Sequence, residues 1–203
     1  MNILPTSVLI IQALTAILMI FYFKKYQSLF FYSVSAIVVL SACVELLGFY
    51  FIQLKISSHY IYFFYTLVVF NLIALAYSYL LQVNKLLIYI PVILFNAVFV
   101  YGYFKGVSYF NSIIVGAINT SFYIFLYLRQ LLISDEIIIY KKLLPFWISI
   151  GFLAFYLPSI PFFVLRNFMI DRGLFFILNI LTILMNLLIM YGLIWSNKEK
   201  SIS

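Results

Sequence analysis

Long apolar runs and short polar interruptions alternate along this chain, and seven such runs follow one another. A helix needs about 20 mostly apolar residues to cross the hydrocarbon core of a bilayer. These runs are apolar on every face, whereas membrane β-strands alternate apolar and polar residues over about ten positions. The pattern predicts an all-α membrane protein, a compact bundle of seven transmembrane helices, with six or eight as the alternatives. The predicted spans are residues 3–23, 29–53, 59–82, 86–104, 107–128, 143–165 and 173–195, in a single domain over 1–203.

The composition agrees with this pattern, because 67% of the residues are hydrophobic, 8% are charged and the mean hydropathy is +1.19. Soluble domains carry about 25% charged residues, so this chain lacks the polar surface that water requires. We therefore expect a multi-pass protein of the cell membrane whose main partner is the lipid bilayer. Lys24 and Lys25 follow the first run, and no small-residue cleavage site ends it, which favours a span over a secretory signal peptide.

The basic residues predict the orientation. The formal net charge is +7, but the 12 Lys and Arg residues are scattered over span ends, which indicates interface anchors and not a nucleic-acid surface. When alternate loops are assigned to opposite sides, eight basic residues fall on one side and four on the other. Positive residues favour the cytoplasm, so we expect the N-terminus outside and the C-terminus inside. The larger group contains Lys24, Lys25, Lys85, Arg129, Lys141, Lys142, Lys198 and Lys200, and the smaller contains Lys55, Lys105, Arg166 and Arg172.

Glu45 is the single acidic residue within a predicted span. An ionisable group in the hydrocarbon region is energetically costly and marks a functional site by default. Ser41 lies about one turn before it, and Ala42 and Gly48 lie three residues to either side, so small residues surround the carboxyl on one helix face. We expect this face to pack against the bundle. Two roles stay open for Glu45: a group that responds to a proton, cation or polar ligand, and a carboxyl that only bonds a neighbouring helix.

Amides form a second set of polar groups within the spans. Asn71 lies near the middle of the third span, and Asn179 and Asn186 lie on the seventh with Thr182 between them. Hydrogen bonds between membrane helices contribute about 0.6 kcal/mol each, so one interpretation is contact between helices. The other is a polar pocket lined by Glu45, Asn71 and Asn179. With a tryptophan of the sixth span included, the candidate ligand-binding residues are Glu45, Ser41, Asn71, Asn179, Asn186 and Trp147.

The sixth span contains two interior prolines, Pro158 and Pro161. Proline removes a backbone donor and crowds the preceding turn, which predicts a break or hinge in the outer half of this helix, or its simple end. Upstream, Ser134-Asp135-Glu136 resembles a capped helix start. This predicts that the sixth helix begins near Asp135 and projects about one to two turns below the membrane. A short helix lying on the lipid headgroups is the alternative.

Missing residue types disfavour most membrane chemistries. One histidine, one cysteine and one acid within a span do not supply a zinc site, a paired-carboxyl protease or a nucleophile with its base. We therefore predict that the chain is not an enzyme and has no catalytic residue, metal or cofactor. The span count and orientation resemble those of seven-helix sensory receptors, which implies a sensor that acts on a cytoplasmic signalling protein. The alternatives are a small solute or ion transporter that couples through Glu45, and a non-catalytic subunit bound to a membrane partner.

Overall fold

The computed structural model describes residues 3–105, 110–165 and 176–197, and the regular structure over these residues is helical. Over these residues, seven helices have the length and apolar composition needed to cross a membrane. This number agrees with the predicted spans and suggests a multi-pass membrane protein. Two 3₁₀ segments accompany them, Tyr22–Lys24 and Asp135–Lys142; the second is called the linker helix below. The long helices are α1 (Ile3–Phe21), α2 (Leu29–Gln53), α3 (His59–Leu80), α4 (Leu86–Lys105), α5 (Phe110–Ile133), α6 (Leu144–Leu165) and α7 (Phe176–Trp195).

Contacts between helices close a ring. Helices that follow one another in the chain are packed neighbours, as expected, and two further contacts join α1 to α7 and α3 to α5. The ring therefore runs α1, α2, α3, α5, α6, α7 and back to α1. The remaining helix, α4, lies outside this ring against the seam between α3 and α5.

Glycines permit the closest helix crossings. A side chain at Gly116 of α5 would collide with the ring of Phe70 on α3, and one at Gly192 of α7 would lie 2.6 Å from Trp147 Cβ on α6. Both glycines are buried. Because the driving force for association in lipid is close packing, these small residues hold α5 on α3 and α7 on α6.

The start of α6 differs from the prediction. This helix begins at Leu144 and not near Asp135, and the preceding residues form the separate linker helix against α5 and α6. Leu143 between them is extended, with φ −92° and ψ 119°. Pro145 explains the interruption, because proline is tolerated in the first helical turn but disfavours a helix that continues upstream of it. Ser134 does not cap the linker helix through its side chain, and its hydroxyl instead donates to the Leu131 carbonyl at 3.0 Å.

The predicted break in α6 is also wrong, because the helix is continuous through Pro158 and Pro161. Both prolines are exposed on the outer surface of the bundle, while Ser159 between them is fully buried. The Ser159 hydroxyl donates to the Tyr156 carbonyl at 2.8 Å. Serine hydroxyls and local adjustment of the helix let membrane helices keep prolines in their interior, so a proline pair does not by itself end a span.

One end of the bundle is fastened by hydrogen bonds between loops and helix ends. The Lys25 ammonium donates to the Ser196 carbonyl at 2.7 Å, and the buried Tyr26 hydroxyl lies 2.9 Å from the same oxygen. The backbone N–H of Asn197 donates to the Lys142 carbonyl at 3.0 Å. A cation and hydroxyl donors at the last carbonyls of α7 satisfy groups that a helix end leaves open. This end, called the basic end below, carries Lys24, Lys25, Lys85, Arg129, Lys141 and Lys142.

Candidate polar site within the helix bundle

The Glu45 carboxyl is hydrogen-bonded to a tyrosine on the neighbouring helix. Glu45 is partly buried in the second half of α2, and its Oε2 atom accepts from the Tyr62 hydroxyl of α3 at 3.2 Å. Gly48, one turn further along α2, leaves the room that this hydroxyl occupies, since an added Cβ there would lie 2.5 Å from Tyr62 Oη. The small-residue face around Glu45 is thus packed against α3.

A second tyrosine lies beside this pair. Tyr65 follows Tyr62 by three residues on α3, and its hydroxyl lies close to the Ser41 side chain of α2 and to Glu45. Ser41, Glu45, Tyr62 and Tyr65 therefore lie together between α2 and α3, and this group is called the carboxyl cluster below.

Two further buried tyrosines lie where α6 meets α3. Tyr156 of α6 packs on Phe70 of α3, with ring centroids 5.6 Å apart. Tyr77 of α3 is fully buried, and its hydroxyl lies 2.7 Å from the Ser149 hydroxyl of α6. Ser149 lies near the start of α6, at the basic end. Along the helix axes, Tyr156 and Tyr77 therefore lie between the carboxyl cluster and the part of α6 beside the linker helix.

Sequence reasoning did not identify these tyrosines. Tyr62 lies near the start of its span, where tyrosines of the membrane interface are common, and the hydrophobic pattern does not distinguish the other three among the 18 tyrosines of the chain. The three-residue spacing of Tyr62 and Tyr65 was an available signal, because it puts both hydroxyls on the helix face that meets the adjacent span. Tyr77 and Tyr156 gave no such signal, since their burial depends on which helices meet.

Asn71 belongs to a different contact from Glu45. Its amide forms a reciprocal pair with Asn96 of α4, with N–O distances of 3.2 and 3.1 Å, and it also donates to the Leu67 carbonyl of its own helix. Nearby, Asn119 of α5 donates to the Pro91 carbonyl of α4 at 2.8 Å. These amides attach α4 to the ring. A cavity of about 10 Å³ lies among them, which is close to the minimum volume that holds one water molecule.

The amides of α7 do not join the carboxyl cluster either. Asn186 is buried and donates to the Thr182 carbonyl one turn back on its own helix at 2.8 Å. Asn179 is partly buried two turns earlier on the same helix. Glu45 bonds Tyr62 of α3 and Asn71 bonds Asn96 of α4, so these two predicted pocket residues lie in separate contacts. Asn179 lies on α7, which packs between α1 and α6, and its part in a pocket stays a prediction.

Trp147 is a packing residue of the basic end. Its indole N–H donates to the Lys141 carbonyl of the linker helix at 2.9 Å. Its ring meets Tyr191 of α7 edge to face at 4.5 Å, over the space left by Gly192. The contacts of this side chain are with the linker helix and α7, and it therefore couples α6 to both.

The chemistry available at the carboxyl cluster is proton exchange and hydrogen bonding. An ionised carboxylate only accepts hydrogen bonds, whereas a protonated carboxyl also donates one, and tyrosine and serine hydroxyls do both. Among the described residues, no three His, Cys, Asp or Glu side chains are grouped as a metal site would require. Comparisons with protein-family models, curated proteins and solved structures found no match to this chain.

Proposed function

We propose that this protein is a membrane sensor that detects a proton or a small polar ligand at Glu45 and transmits the change to a cytoplasmic partner at the basic end. The orientation follows from the excess of Lys and Arg at that end, since positive loops favour the cytoplasm. One observation carries the proposal: α3 bonds Glu45 through Tyr62, and the same helix contacts α6 through Phe70 with Tyr156 and through Tyr77 with Ser149.

The input is a change in the hydrogen bonding of Glu45. Its partner Tyr62 donates to the carboxylate, and protonation of Glu45 turns an obligate acceptor into a group that also donates. Within the described residues, α2 packs mainly on α1 and α3; α1 has no ionisable side chain, and α3 places Tyr62 and Tyr65 beside Glu45. Protonation therefore acts first on Tyr62 and Tyr65.

The output is a shift of α6 and the linker helix. Tyr156 and Ser149 of α6 both contact α3, and the Trp147 indole donates to the Lys141 carbonyl of the linker helix. A movement of α6 thus displaces the linker helix. Its side chains Ile138 and Ile139 are 84% and 50% exposed, and they offer an apolar contact to a partner beside Lys141 and Lys142.

The two tryptophans make the proposal testable without a label. Trp147 and Trp195 both lie at the basic end and both contact Tyr191. We expect their fluorescence, measured on purified protein in lipid nanodiscs, to change with pH in the wild type. The change is expected to disappear in Glu45→Gln, which keeps the size of the side chain but cannot ionise.

Glu136→Gln is the matched control, because it makes the same substitution in an exposed acid of the linker helix. Its pH response should equal that of the wild type. Equal responses from wild type and Glu45→Gln would show that protonation of Glu45 does not reach the basic end, and the sensor proposal would then be wrong for a proton. Trp147→Phe assigns the signal to one of the two tryptophans.

A proton-coupled transporter is the second candidate, because Glu45 and the Tyr62 hydroxyl that bonds it are groups that can exchange a proton within a membrane span. Proton uptake into liposomes that contain the purified protein separates the two functions. Uptake by wild type that is lost in Glu45→Gln, with the fold retained, would support transport. A pH-dependent fluorescence change without proton uptake would support the sensor.

A further inference from the structure

A groove opens at the basic end between α5 and the loop that joins α3 to α4. Its volume is about 360 Å³, which falls in the range of small-molecule sites. Its lining combines apolar and polar side chains and includes one guanidinium. The apolar lining residues are Val83, Leu126 and Ile133, and the polar ones used here are Gln82, Arg129 and Ser134.

The groove exists because α5 continues beyond its predicted end. The apolar run suggested that the span stops at residue 128, but the helix extends to Ile133, so that Arg129 lies on its last turns. The Gln130 side chain bonds the loop that joins α3 to α4. Its Oε1 accepts from the backbone N–H of Gln82 at 2.8 Å, and its Nε2 donates to the Leu80 carbonyl at 3.4 Å. These bonds fasten the loop beside Arg129, whose side chain is exposed.

We infer that this groove binds the headgroup of an anionic phospholipid from the surrounding bilayer. Basic pockets between membrane helices at the cytoplasmic surface are recognised lipid-headgroup sites. A guanidinium forms two parallel hydrogen bonds to a phosphate, which an ammonium does not. The side chains of Leu132 and Ile133, 68% and 76% exposed, continue from the groove as an apolar surface for the acyl chains.

The charges around the groove favour an anionic lipid over a zwitterionic one. Lys85 follows the same loop, and the linker helix adds Lys141 and Lys142 at its far end. Asp135 and Glu136 come directly after Ser134, but they are exposed and lie at the start of the linker helix. The inference depends on the helices crossing a bilayer and is independent of the proposed role of Glu45.

The test is a lipid titration of the purified protein in an uncharged detergent, with phosphatidylglycerol or phosphatidylcholine as the probe. Bound lipid is counted by native mass spectrometry, and the rise in melting temperature follows the same binding. We expect wild type to prefer phosphatidylglycerol and Arg129→Gln to bind it about fivefold more weakly, the factor that corresponds to about 1 kcal/mol for one basic residue near a membrane surface. Arg129→Lys should fall between the two.

Two matched variants identify the groove as the site. Lys85→Gln removes one charge from the same end but outside the groove lining, so it should weaken phosphatidylglycerol binding clearly less than Arg129→Gln does. Lys105→Gln removes one charge from the opposite end and should bind phosphatidylglycerol as wild type does. Equal losses in Arg129→Gln and Lys85→Gln would indicate diffuse surface attraction and overturn the site. Displacement of phosphatidylglycerol by millimolar inorganic phosphate would show a free-anion site and overturn the lipid assignment. Equal melting temperatures of wild type and Arg129→Gln in the absence of lipid would show that the variant is folded.

Discussion

Replacing Gly116 with alanine should loosen the contact between α3 and α5. The added Cβ would lie 2.5 to 2.6 Å from three ring atoms of Phe70, about 1 Å closer than an optimal carbon–carbon contact. The ring has little room to move, because it packs on Phe95 at 5.3 Å and on Tyr156 at 5.6 Å and is 8% exposed. Overpacking of this kind costs about 1–3 kcal/mol. The better helix propensity of alanine offsets about 1 kcal/mol, so we expect the free energy of unfolding to fall by about 1 kcal/mol.

The assay is reversible unfolding in mixed micelles, in which a denaturing detergent replaces a mild one. The same alanine introduced into a Phe70→Leu background should be close to neutral, because the smaller side chain leaves space for the added methyl group, and the double-mutant cycle measures this coupling. Gly151→Ala provides a comparison, since its Cβ would come no closer than 3.1 Å, to the Met185 carbonyl. A Gly116→Ala protein as stable as wild type, or equally destabilised in both backgrounds, would refute the packing of Phe70 against Gly116.

Three further substitutions test polar contacts. Gly48→Ala displaces the hydroxyl end of the Tyr62 side chain, so we expect stability within about 1 kcal/mol of wild type. The pH midpoint of tryptophan fluorescence should nevertheless shift, and an unchanged midpoint would argue against a role of the Tyr62–Glu45 hydrogen bond in the response. Asn96→Leu leaves Asn71 without its amide partner and should cost about 0.6–2 kcal/mol in mixed micelles, whereas an increase in stability would contradict the pairing. Tyr26→Phe removes a donor from the last carbonyls of α7 and should cost about 1 kcal/mol, with hydrogen exchange rising at that end; unchanged exchange would count against the cap.

Hydrophobic length predicted the spans well, and it failed where a basic residue lies inside a helix. The second span was predicted over the same residues that α2 occupies, because an apolar run of this length has to be helical in lipid. The fifth span was ended one residue before Arg129, yet the helix continues to Ile133. Arginine is a good helix former whose side chain reaches the interface, so it marks the membrane surface and not the helix end.

The order of helices around the ring could not be predicted from the chain. Short loops identify neighbours in sequence, but the contacts of α3 with α5 and of α1 with α7 depend on faces that are all apolar. Nothing in the hydrophobic pattern indicates that Asn71 is hydrogen-bonded to Asn96 and not to Glu45. For the same reason the sequence did not show that α4 lies outside the ring, although its buried set is small: Ile88, Phe95, Phe99 and Gly102.

Helix geometry explains why Glu45 differs from the other polar groups in the spans. Amides and hydroxyls satisfy themselves locally by donating to a carbonyl one turn back, as Asn186, Thr120 and Asn71 do at 2.8 to 2.9 Å. An ionised carboxylate has no proton to donate, and the amides of a helix interior are already engaged, so it must recruit a donor from another helix. Glu45 does so through Tyr62. Protonation removes that requirement, because the carboxyl can then donate to its own helix. Glu45 can therefore bond in two ways that differ in their dependence on α3, which is what the proposed sensor requires of its input residue.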